Sequence, residues 1–292
     1  MNVRALQAIL LAGAILFLAA TGVRAEKVIV PGAGATDLHA HFELPEGPGP
    51  HPALVFLHGC GGLGRDGGVS STYRAWARHM TAHGYAVLMI DSPGSRGMGR
   101  TCGRVPGRKI MLRERPGDAY AGLRFLQARE DITRDRIGLI GWSQGGGVAL
   151  LTLSRQSIGR PTPPPAHDFK AAVAFYPGAC SDRLQSKPFT KVEPGSWSTV
   201  APLLILQGGA DNWTLPAPCK TFVELARRRG EPVEIVIYDG ATHSFDAPNM
   251  ALRRRKGALT ASGQLPLQGT DPDAREDAMR RVPAFFDAYL KE

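Results

Sequence analysis

Several signatures are missing from this 292-residue sequence, and each absence closes a class of function. There is no Walker phosphate-binding loop and no glycine-rich dinucleotide fingerprint, which sets aside P-loop and nicotinamide chemistry. His39 and His41 lie two residues apart on an expected edge strand and so share a face, but no third ligand stands with them. No metal and no other cofactor is expected. No repeat or low-complexity array appears, so a stacked repeat architecture is excluded. The two basic runs, Arg227-Arg228-Arg229 and Arg253-Arg254-Arg255-Lys256, carry no interleaved aromatic residues. They read as solvated faces rather than a nucleic-acid groove. The apolar run 5–20 falls short of the roughly 20 residues that cross a bilayer, and no stop-transfer pattern follows it.

That run has another reading. Arg4 precedes it, and Val23-Arg24-Ala25 supplies small residues before Glu26, the layout of a signal peptide cleaved after Ala25. Residues 1–25 are therefore expected to be removed, leaving 26–292 as one domain in the periplasm or outside the cell, with no stable membrane span. The formal charge of the chain is +9. Cleavage takes away two of the 35 basic residues and none of the 26 acidic ones, which leaves +7. Such a field favours an anionic substrate or envelope surface. Cysteine is scarce, but all four residues, Cys60, Cys102, Cys180 and Cys219, fall in the mature part. An even count in an oxidising compartment favours pairing, with three connectivities open.

Along the mature chain, short apolar runs alternate with amphipathic segments. The runs 53–57, 86–90, 137–140, 171–175, 203–206 and 233–238 predict strands; 72–83, 112–129, 145–155, 217–229 and 274–291 predict helices. Residues 27–44 precede the alternation and predict antiparallel edge strands. The pattern is that of an α/β fold, a mostly parallel, doubly wound sheet with helices on both faces. Residues 158–168 and 247–273 are loops by composition, and 181–201 is a third. Because ligands bind at the carboxyl ends of such strands, residues 178–201 are expected to shape the substrate mouth.

The chemistry starts at Gly141-Trp142-Ser143-Gln144-Gly145, which directly follows a strand and opens a helix. That context makes it a nucleophile elbow, a strained turn with no room for side chains at its flanks. A serine hydroxyl needs a base within reach and a group to orient the base. His243 follows the last parallel strand and is the expected base; Asp211 follows the strand before it and is the expected acid, with Asp239 as competitor. The order Ser, Asp, His is that of α/β-hydrolases. His58-Gly59-Cys60-Gly61-Gly62 follows the strand at 53–57, where a glycine-rich turn can aim N–H groups at an oxyanion. Cys60 and Gln144 are the expected backbone donors, and His58 is expected to brace the loop. Trp142 and Trp213 neighbour the site residues and are candidates for an aromatic pocket wall.

With these residues assembled, the chain resembles the dienelactone hydrolase family over nearly all its mature length. The matching pieces are Leu57-His58-Gly59-Cys60-Gly61-Gly62, Gly84-Tyr85-Ala86-Val87, Asp91-Ser92-Pro93 with Arg96-Gly97, Gly141 to Gly146, Tyr176-Pro177-Gly178, Asp211-Asn212-Trp213 and Tyr238 to Phe245. The resemblance implies an α/β-hydrolase fold with no large lid domain, and nucleophile, acid and histidine at Ser143, Asp211 and His243. Archetypal members are similar but use a cysteine nucleophile, controlled by an acidic residue near the first glycine turn. Serine at 143 and the turn His58-Gly59-Cys60 argue against dienelactone itself as substrate.

Cys180 and Cys219 lie beyond adjacent strand ends, as do Cys60 and Cys102, so the pairs Cys60–Cys102 and Cys180–Cys219 are favoured. The function expected is hydrolysis of a small carboxylic ester or lactone through an acyl-enzyme. A peptidase ranks below it, because no propeller or cap domain is evident, and a non-catalytic envelope protein ranks lower still. Nothing in the sequence sets an oligomeric state.

Overall fold

A computed structural model describes residues 24–32, 36–103 and 113–291. The expected signal peptide, apart from its last two residues, lies outside the described residues. Among the described residues no helix is long and apolar enough to cross a membrane.

Two strands, β1 (Arg24–Pro31) and β2 (Asp37–Leu44), pair antiparallel at one edge. The rest follow in chain order: β3 (His51–Leu57), α1 (Ser71–Ala82), β4 (Ala86–Ile90), α2 (Arg115–Gln127), β5 (Ile132–Trp142), α3 (Gln144–Leu153), β6 (Ala171–Phe175) and the single turn α4 (Asp182–Gln185). After these come β7 (Leu203–Gly208), α5 (Pro216–Arg228), β8 (Val233–Tyr238), the two-residue strands β9 (Arg253–Arg254) and β10 (Leu267–Gln268), and α6 (Pro272–Leu290). The main sheet has the order β1-β2-β4-β3-β5-β6-β7-β8. From β4 to β8 every pairing is parallel, and β2 meets β4 antiparallel.

The central strands are mostly apolar, β4 and β6 throughout, because both faces are covered. Along β3, Ala53, Val55 and Leu57 belong to one buried cluster with Leu123 of α2, Val148 of α3 and Phe222 of α5. Leu54 and Phe56 point the other way, to Trp76 and Met80 of α1 and Phe286 of α6. The period of two along a strand thus splits the core into two layers. Parallel strands deliver all their carboxyl ends to one edge, and β3, β5, β7 and β8 bring residues 58–60, 143, 211 and 243 there.

One expectation fails. None of residues 178–201 lines the cavity above Ser143. The segment runs back along α3 instead, with Trp197 fully buried and its Nε1 donating to the Leu150 carbonyl at 3.2 Å, and with Val200 N–H bonded to Leu153 O. Burial of the Trp197 and Val192 side chains against the helix outweighs the loop-like composition.

Candidate active site

Ser143 stands between β5 and α3 with φ 52° and ψ −113°. Two bonds to its carbonyl, from Gly147 N–H at 3.0 Å and Gly178 N–H at 2.7 Å, and one from its own N–H to Phe175 O at 2.9 Å hold this strained backbone. Glycine at the flanks is a steric requirement. A Cβ at Gly141 would lie 2.2 Å from Gly145 O, and one at Gly145 would lie 1.9 Å from Leu57 O.

The elbow lifts the Ser143 hydroxyl to 3.0 Å from His243 Nε2. On the other side of the ring, His243 Nδ1 is 2.7 Å from Asp211 Oδ2. An ionised carboxylate can only accept, so the imidazole proton sits on Nδ1 and the Nε2 lone pair faces the serine. Asp211 is buried and held by the N–H groups of Trp213 and Thr214 at 2.8 and 2.9 Å and by the Thr214 hydroxyl at 2.8 Å. Burial alone would raise its pKa. The His243 charge and bond, with the Thr214 bonds, outweigh burial and hold the carboxyl below its ordinary range. Asp239, the competing acid, is exposed and makes no bond to His243. The structure therefore brings Ser143, His243 and Asp211 into one hydrogen-bonded chain.

Facing Ser143 is the turn after β3. Its first N–H, at Gly59, donates to Tyr73 Oη at 2.8 Å and is occupied. The N–H groups of Cys60 and Gln144 take no acceptor among the described residues. His58 is fully buried, with Nδ1 bonded to Gly59 O at 2.6 Å and Nε2 3.4 Å from Asp91 Oδ1, which fits a bracing role. Burial, with the Arg115 charge next, pushes its pKa down and keeps it neutral. Disulfides join Cys60 to Cys102 and Cys180 to Cys219. The first ties the glycine turn to the loop carrying Arg100 and Thr101, whose N–H also donates to Cys60 O at 2.8 Å.

Above these residues opens a cavity of about 1180 Å³ bordered by Ser143, His243, Cys60 and both tryptophans. Trp142 is 1% exposed and stacks on Phe175 with centroids 5.4 Å apart, so it belongs to the core. Trp213 is half-buried, 4.7 Å from the His243 ring, and offers its face to the cavity. The Arg255 guanidinium lies over that ring at 5.2 Å, its Nε buried without a partner. Sequence reasoning missed Thr214, Tyr73, Tyr176 and Asp246. Thr214 was within reach, since an Asp followed three residues later by Thr commonly closes on itself; the other three come together only through tertiary folding.

A mostly parallel sheet delivering serine, histidine and a carboxylate to one set of strand ends defines an α/β-hydrolase. The comparisons narrow this: the chain belongs to the dienelactone hydrolase family, whose profile matches residues 38–290. It is 28% identical over 130 residues to a probable 2-oxo-3-(5-oxofuran-2-ylidene)propanoate lactonase of Bradyrhizobium, covering 44% of this chain and 47% of that protein. It is also 28% identical over 190 residues to human dipeptidyl peptidase 8, covering 56% of this chain. The chain thus spans about half the length of the first and 20% of the second. In fold it is similar to a putative dienelactone hydrolase from Klebsiella pneumoniae, with TM-score 0.67, 20% identity, and 92% and 100% of the two chains covered.

Proposed function

We propose that the chain is an exported serine esterase or lactonase working through an acyl-enzyme, with Ser143 as nucleophile, His243 as base and Asp211 as its orienting acid. His243 takes the Ser143 proton as the hydroxyl attacks the ester carbonyl. The N–H groups of Cys60 and Gln144 hold the oxyanion, and the imidazolium then gives its proton to the leaving alcohol. Water, activated by the same histidine, releases the acid. The observation that carries this reading is the chain of bonds from Ser143 Oγ through His243 to Asp211. Export is supported by residues 1–25 and by the two disulfides.

The substrate we propose carries a negative charge beside its ester. Arg65, Arg74, Arg100, Arg253, Arg254, Arg255 and Lys256 border the cavity, with Asp66 and Asp91 as its acids among the described residues, and among those residues none of these seven cations has a carboxylate within 4 Å. Unpaired cations at a low-dielectric mouth concentrate anions. The test compares a para-nitrophenyl ester bearing a free carboxylate with a neutral ester of equal length, using wild type and Arg255→Gln. The charged ester is expected to have the higher kcat/KM by about 10-fold, and Arg255→Gln to erase most of that preference. Equal rates for both esters would contradict the charge assignment. A peptidase is the second reading, resting on the likeness to dipeptidyl peptidase 8; hydrolysis of peptide anilides in preference to esters would favour it.

A further inference from the structure

Two buried charges, without counter-ions among the described residues, flank the nucleophile. Arg115, the first residue of α2, is fully buried. Its Nη2 donates to the His58 carbonyl at 2.7 Å and its Nη1 to Gln144 Oε1 at 3.1 Å, an oxygen that also accepts from Thr101 Oγ1 at 2.9 Å. Its Nε has no partner, and among the described residues no carboxylate lies within salt-bridge distance of the guanidinium. Burial brings its pKa down to about 10, against the pull of Asp118, Tyr73 and Asp91, so it remains a cation at neutral pH.

Asp246 is its counterpart. It lies three residues beyond His243 and is 1% exposed. Oδ2 accepts from Trp76 Nε1 and Trp142 Nε1, both at 2.8 Å, and Oδ1 from Tyr176 Oη at 2.6 Å. All three partners donate, an arrangement that suits the ionised carboxylate. Burial raises its pKa and these bonds pull it back. No basic side chain pairs with the carboxylate among the described residues; Arg275 Nε goes to its main-chain carbonyl.

Each charge touches the site through neutral groups. Arg115 grips the residue after Ser143 and the residue that leads into the Gly59-Cys60 turn. Asp246 grips Trp142, which precedes Ser143, and Tyr176, whose ring lies 4.5 Å from the His243 ring. Isolated buried charges are costly to keep unless they do something for the protein. Acyl transfer creates a negative oxygen at the Cys60 and Gln144 N–H groups and a positive charge on His243. The buried cation is bonded to residues 58 and 144 beside the first, and the buried anion to Tyr176 beside the second.

We infer that Arg115 and Asp246 are positioning residues of the serine site, which fix the oxyanion donors and the imidazole and supply a permanent field aligned with the charge separation of the transition state. The inference rests on the serine-hydrolase reading above. Fixed charges of this kind act without reorganising during the reaction.

The experiment uses the mature chain as wild type, Arg115→Met, Arg115→Lys and Asp246→Asn, with active sites titrated by a fluorophosphonate and kinetics on a para-nitrophenyl ester. Arg115→Met and Asp246→Asn are each expected to lower kcat per titrated site by about 10-fold or more, with KM changed by less than about threefold. Affinity for a boronic acid, which forms an anionic tetrahedral adduct, is expected to fall in step with kcat. Arg115→Lys keeps the charge and recovers part of the loss. The acid limb of the kcat/KM profile is expected to move to higher pH in Arg115→Met and to lower pH in Asp246→Asn. The other charged and titratable neighbours are His58, Tyr73, Asp91, Arg96 and Asp118 around Arg115, and Tyr73, Tyr176 and Arg275 around Asp246; all of them are kept in both variants, so opposite shifts report the opposite charges removed. Lower melting temperatures with kcat per titrated site within about twofold of wild type, and acid limbs unmoved, would overturn the inference. Should Arg115→Met fail to fold, Asp246→Asn and Arg115→Lys decide on the same readings. A wild type that neither labels nor turns over ester would instead refute the hydrolase reading.

Discussion

At the residue scale, what matters at this site is how neighbours fix the state of each group. Asp211 accepts four bonds and stays ionised; His243 can then present a lone pair to Ser143. His58 shows the same control with the opposite aim. Burial, with the Arg115 charge second, disfavours its charged form. An unfolded His58 takes up its proton near the ordinary value of about 6.5, whereas the folded protein resists protonation until lower pH. Stability that is fully present above that value is therefore lost as pH falls below it. His58→Asn is expected to lose less melting temperature than wild type between about pH 7.5 and 5.5, keeping only the share of His79, which burial also holds low. An identical loss in both proteins would contradict this account. The strand-end placement of Ser143, Asp211 and His243 was legible in the sequence because each lies within five residues of a strand's carboxyl end, in the chain order Ser, Asp, His. Arg115 was not, because an arginine in a helical pattern reads as solvated, and only the packing of α2 beneath residues 58 and 144 buries it. Trp142 and Trp213 looked alike as pocket walls, yet the first turns into the core and the second into the cavity.

At the scale of elements, strands and helices were readable because their periods are local, and the central strands matched closely. β5 begins at Ile132, five residues before the apolar run, because Ile132 already pairs with His51 ahead of the register shift that sets Ala53 opposite Ile137. Loops were less readable: strand-end logic says that ligands bind near such connections, but not which connection turns toward the nucleophile. Here that role falls to residues 59–74, 91–100 and 250–256 rather than 178–201. The Cys60–Cys102 bond joins two of these loops, whereas Cys180–Cys219 joins the segment after β6 to α5. The double variant Cys60→Ser/Cys102→Ser is accordingly expected to lose kcat on the order of 10-fold, through a loosened oxyanion donor. The Cys180→Ser/Cys219→Ser variant is expected to lose stability, about 2–4 kcal/mol, with kcat nearly unchanged. Denaturant titration beside steady-state kinetics separates the two, and a reversed pattern would contradict the placement of these loops.

At the scale of the whole molecule, the sheet is a scaffold that brings residues far apart in sequence to one edge, and the charge of the chain is uneven around that edge. The basic residues that read as solvated runs are exposed apart from Arg255, and those at 253–256 also border the cavity over Ser143. Export, as proposed, would open this cavity in an oxidising compartment, the setting in which disulfides persist. All of this depends on Ser143 being the nucleophile. The most direct measurement is intact-protein and peptide mass spectrometry after a short exposure to a fluorophosphonate, on wild type, Ser143→Ala and His243→Ala. One adduct per wild-type chain is expected, located on the peptide containing Ser143, with no adduct in Ser143→Ala and labelling slowed by several orders of magnitude in His243→Ala. An adduct on another residue, or a Ser143→Ala protein that labels and hydrolyses esters as wild type does, would contradict Ser143 as the nucleophile.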